Sequence, residues 1–346
     1  MTFTATARVA GAADDTIIAR TCEHLEEHDA EVTIRDGYGE ARFPKGSASL
    51  RREGAELVLT ATAPALDDLI ELRGMLAFHV IEFSAAAPSI IWTGDGNDAT
   101  TPPGFRLMTV RHAMEIGPRM RRVTLHGENL SRYATASDLH VKLLLPPDGV
   151  QPRWPSLKAD GTIAWPEGEA KLAARKYTIR RIDVAAGEID IDFVLHDHGG
   201  PGSRFGARAR PGDVIGMTGP GGRSVGEADF YLLAGDETAL PAIARIMEML
   251  PPEARGVAMI EVEEPGDEQL IETRANIDLR WLHRSRGGSL ARDVPDIALP
   301  QAKSFAWVGA EFGAFRELRR HFRAGIGLPR DQHLVVSYWR RGEVAH

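Results

Sequence analysis

The sequence predicts a multi-domain chain: a small α+β domain, then an antiparallel β-barrel, then an α/β domain built on a doubly wound sheet. Three observations lead there. Residues 93–104 (TGDGNDATTPPG) gather small polar residues, glycines and paired prolines, which discourage both helix and ladder and so mark a boundary. Residues 188–193 alternate charged and apolar side chains, the period of a half-buried antiparallel strand. From residue 228 onward, short apolar runs alternate with helical patterns, the order that a parallel sheet with crossover helices requires. At 346 residues the chain can bury two or three separate cores, and the domains are set at 1–98, 105–226 and 228–346.

In the first domain a helix is expected over 13–28, then short strands near 30–35, 40–44, 47–52 and 55–62. A second helix is expected from Pro64 to about Ser84, where Leu66, Leu69, Ile70, Leu72, Met75, Leu76 and Val80 share a face. His24, His28 and His79 show no ligand geometry and read as surface or core histidines. In the second domain Ile189, Ile191 and Phe193 fall on one face of a barrel strand, with Glu188, Asp190 and Asp192 on the other. Between Leu145 and Arg175, Pro146, Pro147, Pro152, Pro155 and Pro166 interrupt any period. That stretch reads as an excursion of loop and short hairpin near the barrel mouth, turning at Asp160-Gly161.

The third domain opens with a buried strand at 230–234 and a helix after Asp236 that carries Leu240, Ile243, Ile246, Met247 and Leu250. Further strands are expected at 256–262, 278–283, 305–308 and 334–337, and a helix at about 311–323. Ligands of such a sheet sit outside the carboxyl ends of its strands.

The chemistry concentrates in residues 175–180 (RKYTIR) and the loop 196–203 (HDHGGPGS). Arg175 offers a planar fork of donors to a pyrophosphate, and consecutive loop N–H groups form a cradle for its oxygens. Tyr177 supplies a flat face for an isoalloxazine, and the Thr178 hydroxyl can bond the ring's polar edge. Together they can hold a flavin dinucleotide. Each piece also has a plainer reading, since tyrosine and threonine are good strand formers and glycines turn the chain. His196 and His198 flank Asp197 at i, i+2 without a third ligand nearby, so no metal is assigned.

A net charge of −8 argues against a general nucleic-acid binder. The single cysteine, Cys22, excludes an intrachain disulfide and a cysteine-held iron–sulfur cluster. No basic-then-apolar leader and no apolar run near the roughly 20 residues of a membrane span is visible, so a cytoplasmic, soluble protein is expected.

Several segments recur in a characteristic order: 118–125 (PRMRRVTL), 140–146 (HVKLLLP), 165–168 (WPEG), the Arg-x-Tyr-Thr strand, 192–196 (DFVLH), 200–203 (GPGS) and 218–222 (TGPGG). They continue with 235–243 (GDETALPAI), 281–284 (WLHR) and 338–342 (YWRRG). In this order the chain from about Leu107 onward resembles the siderophore-interacting protein family, a branch of the ferredoxin-reductase-like flavoproteins that reduces ferric siderophores. The resemblance implies FAD, a nicotinamide donor (NADPH or NADH) and a ferric siderophore as small-molecule substrate. It implies Arg175, Tyr177, Thr178, Asp192, Val194, His196, Gly200, Gly202, Ser203, Asp236, Thr238, Arg284 and Trp339 as cofactor residues. Lys176, Arg180, Arg204 and Arg340 fall to the substrate, within a positive field that Lys142, Arg181 and Arg208 extend. Electron transfer needs no acid–base catalyst, and none is assigned.

Some positions carry two readings. Asp236 and Glu237 open a helix where a nucleotide pyrophosphate would approach, and their charges repel it; as a cap, Asp236 leaves Thr238 and backbone amides for the cofactor. Arg284 and Arg286 stand where a 2′-phosphate can be gripped, and a pair of surface arginines fits the same positions. Trp339 and Arg340 suit the flavin and nicotinamide, or the packing of the last strand. Residues 42–46, 56–59 and 79–83 resemble a small domain family of unknown function, found alone or fused to siderophore-interacting proteins. A general flavin or quinone reductase, and a siderophore carrier that oxidises no nicotinamide, are the alternative functions.

Overall fold

Alternation of small apolar and polar residues builds the first sheet. In the computed structural model, which describes residues 1–12, 14–27, 30–196, 199–300 and 302–342, the chain divides into two compact units. The first comprises Met1–Phe105 and Gly149–Lys171, the second Arg106–Asp148 and Leu172–His346.

The first unit runs β1 (Phe3–Ala10), α1 (Asp15–Glu26), β2 (Glu31–Arg35), β3 (Tyr38–Phe43), β4 (Gly46–Glu53), β5 (Glu56–Ala63), α2 (Leu66–Phe83) and β6 (Trp92–Gly94). Its strands form an antiparallel sheet in the order β2-β3-β4-β5-β1-β6. Ala5, Ala7 and Val9 of β1 and Leu57, Leu59 and Ala61 of β5 point inward against Ile18 and Cys22 of α1 and Leu69, Leu72 and Leu76 of α2. Sequence reading passed over β1. Its inward positions are mostly alanine, so the period-two contrast that reveals a strand is faint. Asp14 caps α1 by accepting from the N–H of Thr16 at 2.8 Å, and Asp67 and Asp68 place negative charge in the first turn of α2.

Residues 149–171, expected at the barrel mouth, belong to the first unit. Their short hairpin, β10 (Ser156–Leu157) and β11 (Ile163–Ala164) in the numbering below, docks by backbone and indole donors. Trp92 Nε1 donates to the carbonyl of Asp160 and Leu157 N to that of Thr100, both at 2.8 Å. The turn falls at Asp160-Gly161 as expected; Gly161 has φ +86°, where a side chain would be strained.

The second unit opens with the strands β7 (Phe105–Gly117), β8 (Met120–His126) and β9 (His140–Leu145), and resumes with β12 (Ala173–Asp183), β13 (Glu188–Val194), α3 (Pro201–Arg208) and β14 (Val214–Gly221). The six strands close a barrel in the order β12-β13-β8-β7-β14-β9. Ile189, Ile191 and Phe193 fill its interior as their alternation predicts. Asp190 and Asp192, on the opposite face, are buried as well, because arginines cover them: Arg181 Nε lies 2.7 Å from Asp190, and Arg122 bonds both oxygens of Asp192 at 2.6 and 2.8 Å.

The chain then alternates β15 (Phe230–Asp236), α4 (Leu240–Met249), β16 (Arg255–Val262), β17 (Asn276–His283), α5 (Leu290–Asp293), β18 (Ser304–Glu311), α6 (Phe312–Arg320) and β19 (His333–Trp339). The strands are parallel, in the order β17-β16-β15-β18-β19. Leu240, Ile243 and Met247 of α4 pack on Leu233 and Ile260, while Leu290 of α5 and Leu318 of α6 pack with Leu232, Ala234 and Val308. Helices therefore cover both faces, as a doubly wound sheet requires. The strand order reverses between β15 and β18, and a crevice outside the carboxyl ends of that pair is where such sheets bind ligands. No helix among the described residues is long and apolar enough to cross a membrane.

Candidate functional site

Within the second unit, β9, β12 and β14 of the barrel and β19 of the sheet enclose a cavity of about 1270 Å³. Its size exceeds that of most pockets for drug-sized ligands, and it suits a dinucleotide. On the barrel side, pairing of Thr178 with His140 and of Lys176 with Lys142 aligns β12 and β9 along the wall. Arg175, Lys176, Tyr177 and Thr178 all line it. Thr178 is 5% exposed, and apart from its interaction with the Tyr338 hydroxyl its Oγ1 has no hydrogen-bond partner among the described residues. Among the described residues Arg175 donates only to the carbonyl of Ala174, at 2.8 Å. Tyr177 packs on Phe193 with ring centroids 4.5 Å apart.

The loop after β13 turns into α3, capped by Gly200 with Pro201 at the first helical position. His196 N donates to Ser203 Oγ at 2.9 Å, which ties His196 to the first turn of the helix. A Cβ on Gly202 would stand 2.1 Å from the Tyr177 hydroxyl, so only glycine lets the helix approach the tyrosine. The first N–H groups of the helix lack intrahelical partners and carry the positive end of its dipole.

The sheet supplies the facing wall. Thr238, Trp307, Tyr338, Trp339, Arg340 and Arg341 line it. His140 Nε2 lies 2.7 Å from the Tyr338 hydroxyl and joins the walls; desolvation, then the charges of Lys176 and Arg245, holds its imidazole down at about 4. Lys142, Arg175, Lys176, Arg223, Arg340 and Arg341 put cations around the cavity. Asp192 is the one acid lining it among the described residues, and Arg122 neutralises that carboxylate. A cavity of this sign favours an anionic ligand, although the whole chain is acidic.

The structure gathers Arg175, Lys176, Tyr177, Thr178, Asp192, Val194, His196, Gly200, Gly202, Ser203, Thr238, Trp339 and Arg340 around this one cavity. Four other expected residues stand elsewhere. Arg284 gives Nε to Glu263 and its two terminal nitrogens to Glu237 and Glu261, at 2.8 to 3.1 Å. Burial costs this guanidinium solvation, yet those bonds hold its pKa above the usual arginine value, and carboxylates take four of its five N–H donors, which leaves one for a 2′-phosphate. Arg180 is held by both oxygens of Glu248, at 2.9 and 2.5 Å, and Arg204 donates to the carbonyl of Gly199 at 3.1 Å. Neither lines the cavity. Asp236 is buried behind the wall as a cap for Thr238, and α4 begins only at Leu240.

Asp197 and His198, considered as part of a metal set, and His28 lie outside the described residues. No group of three or more metal-ligating side chains occurs among the described residues. Sequence reasoning missed His140, Arg223, Tyr338 and Arg341 as cavity residues. A signal existed for each: they lie within or beside segments 140–146, 218–222 and 338–342, singled out only as family markers.

The residues present fit FAD. The buried Thr178 hydroxyl, met only by that of Tyr338 among the described residues, is a polar group that would suit the isoalloxazine edge, and Arg175 with the start of α3 would suit the pyrophosphate.

A family model described as siderophore-interacting protein matches residues 228–342, and one described as siderophore-interacting FAD-binding domain matches residues 109–224. A third, described as an uncharacterized protein conserved in bacteria, matches residues 6–93. Ferric vibriobactin reductase ViuB of Vibrio cholerae is 30% identical over 246 residues, 69% of this chain and 90% of that protein. The NADPH-dependent ferric-chelate reductase of Escherichia coli is 30% identical over 68% of this chain and 92% of that protein. The crystal structure of the siderophore-interacting protein SipS from Aeromonas hydrophila matches with a TM-score of 0.59 and 33% identity, covering 69% of this chain and 93% of that one. With barrel, sheet and cavity in agreement, the chain belongs to the siderophore-interacting protein family.

Proposed function

We propose that this protein is an FAD-dependent ferric-siderophore reductase that uses NAD(P)H, acting in the cytoplasm. The observation that carries the reading is the cationic cavity, in which the buried Thr178 hydroxyl is met by no protein group except the Tyr338 hydroxyl among the described residues. Bound FAD supplies the conversion of a hydride into single electrons, which a ferric ion requires. Per NAD(P)H two ferric ions are reduced and one proton is released. Iron leaves because the hard oxygen donors of a siderophore hold ferrous iron far less tightly than ferric.

The chain's own residues bind and orient. Arg175 and the first turn of α3 hold the pyrophosphate, Tyr177 and Thr178 set the ring, and Lys176, Arg340 and Arg341 at the exposed rim attract an anionic chelate. With Arg284 consumed, exposed Arg286 is the remaining cation of the pair considered for a 2′-phosphate. The purified protein is expected to be yellow and to form ferrous chelate from ferric siderophores on addition of NADH or NADPH. Arg175→Ala is expected to lose flavin affinity; a colourless wild-type protein that refuses added FAD refutes the reading.

A further inference from the structure

Asp236 closes β15 and is 3% exposed, yet it does not line the cavity. Its Oδ1 accepts from the backbone N–H and the hydroxyl of Thr238, at 2.9 and 2.5 Å. Its Oδ2 accepts from the backbone N–H of Glu311 at 2.9 Å and from the indole Nε1–H of Trp339 at 2.8 Å. One carboxylate thus ties together the carboxyl ends of β15, β18 and β19, at the point where the strand order reverses.

Burying a carboxylate here is unfavourable: desolvation, then the charge of Glu237, pushes it up to about 6. Well-packed apolar residues often hold strand ends as firmly, so its presence points to geometry rather than to stability. An indole has a single donor, and the bond to Asp236 is the one directional tie on the Trp339 ring among the described residues. Both side chains that Asp236 fixes, Thr238 and Trp339, do line the cavity. The Trp339 ring also lies 6.3 Å from the ring of His196 on the barrel side, so it stands between the two walls.

We propose that Asp236 is a positioning residue that holds Trp339 and Thr238 as the surface against which the nicotinamide of NAD(P)H is presented. The inference deepens the reductase reading and rests on it for the identity of the ligand. Without the tie, the indole is free to swing into the space that the nicotinamide needs.

The test uses the full-length holoprotein labelled with 5-fluorotryptophan. Of its six tryptophan signals, that of Trp339 is identified by its absence in Trp339→Phe. In Asp236→Ala the Trp339 signal is expected to shift and broaden while the other five stay, and KM for NAD(P)H is expected to rise about tenfold with a smaller change in kcat. A merely structural role lowers the melting temperature but leaves the Trp339 signal and KM in place, and that result overturns the proposal. If Asp236→Ala does not fold, Trp339→Phe decides, since it keeps an aromatic ring and removes the N–H. A rise of a few-fold in KM supports the proposal, and an unchanged KM overturns it. Wild-type protein that oxidises no NAD(P)H overturns the reductase reading and the nicotinamide assignment with it. The fluorine spectra, read without turnover, decide separately whether Asp236 positions Trp339.

Discussion

The barrel and the parallel sheet treat their polar groups in opposite ways. On the barrel, among the described residues, Thr178 Oγ1 is buried with only the Tyr338 hydroxyl to meet it and Arg175 reaches no more than a neighbouring carbonyl. On the sheet, Asp236 meets four donors and Arg284 meets three carboxylates. A group whose hydrogen-bonding capacity the fold has already filled shapes a site, and a group left open grips a ligand. On the proposed reading, affinity for the flavin is therefore expected mainly from the barrel, and shape and the approach of the electron donor from the sheet.

The most direct test of this contrast is Gly202→Ala. Its methyl group would stand 2.1 Å from the Tyr177 hydroxyl, and a fall of about a hundredfold in FAD affinity, or about 2.7 kcal/mol, is expected in flavin titrations of the apoprotein. Full FAD occupancy in this variant would place the cradle elsewhere. Arg122→Ala leaves the Asp192 carboxylate, 4% exposed, without its partner, and a stability loss of about 4 kcal/mol is expected in denaturant titration. A loss under about 1 kcal/mol would mean that water replaces the pair.

The third test is pH. The imidazole of His140 is held at about 4 in the folded protein against 6.5 ordinarily, so the folded state binds fewer protons between those values. Stability is therefore lost as pH falls from 6.5 to 4, by up to about 3 kcal/mol. Asp236 works the other way. Its carboxyl, raised from 3.8 to about 6, favours the folded state as pH falls through that window. His140→Gln is expected to remove the acid loss and expose the opposite slope; an unchanged pH profile assigns the acid sensitivity to other groups. The smallest effect separates two cations of β12. Lys176→Ala is expected to raise KM for a ferric siderophore by a few-fold, whereas Arg180→Ala, already paired with Glu248, leaves it unchanged. Equal effects would erase the distinction between open and filled groups.

Legibility followed the same division. The barrel side of the cavity was readable because two short segments carry its lining residues, so Arg175, Tyr177, Thr178, Gly200, Gly202 and Ser203 needed only strand period and turn geometry to be placed together. The ion pairs of Arg284 and Arg180 were not legible because their partners, Glu237, Glu261, Glu263 and Glu248, lie 21 to 68 residues away in sequence. Strand β1 escaped for a local reason, since inward alanines barely differ in hydrophobicity from the threonines beside them.

By itself the sequence determined the order of barrel and doubly wound sheet, the position of the Asp160-Gly161 turn and the strand that lines the cavity, because periodicity and glycine placement act over a few residues. Only the tertiary structure decided which charges remain available, that His140 meets Tyr338 from 198 residues away, and that residues 149–171 join the first unit. Ion pairing and burial depend on which distant strands become neighbours, and no local pattern records that.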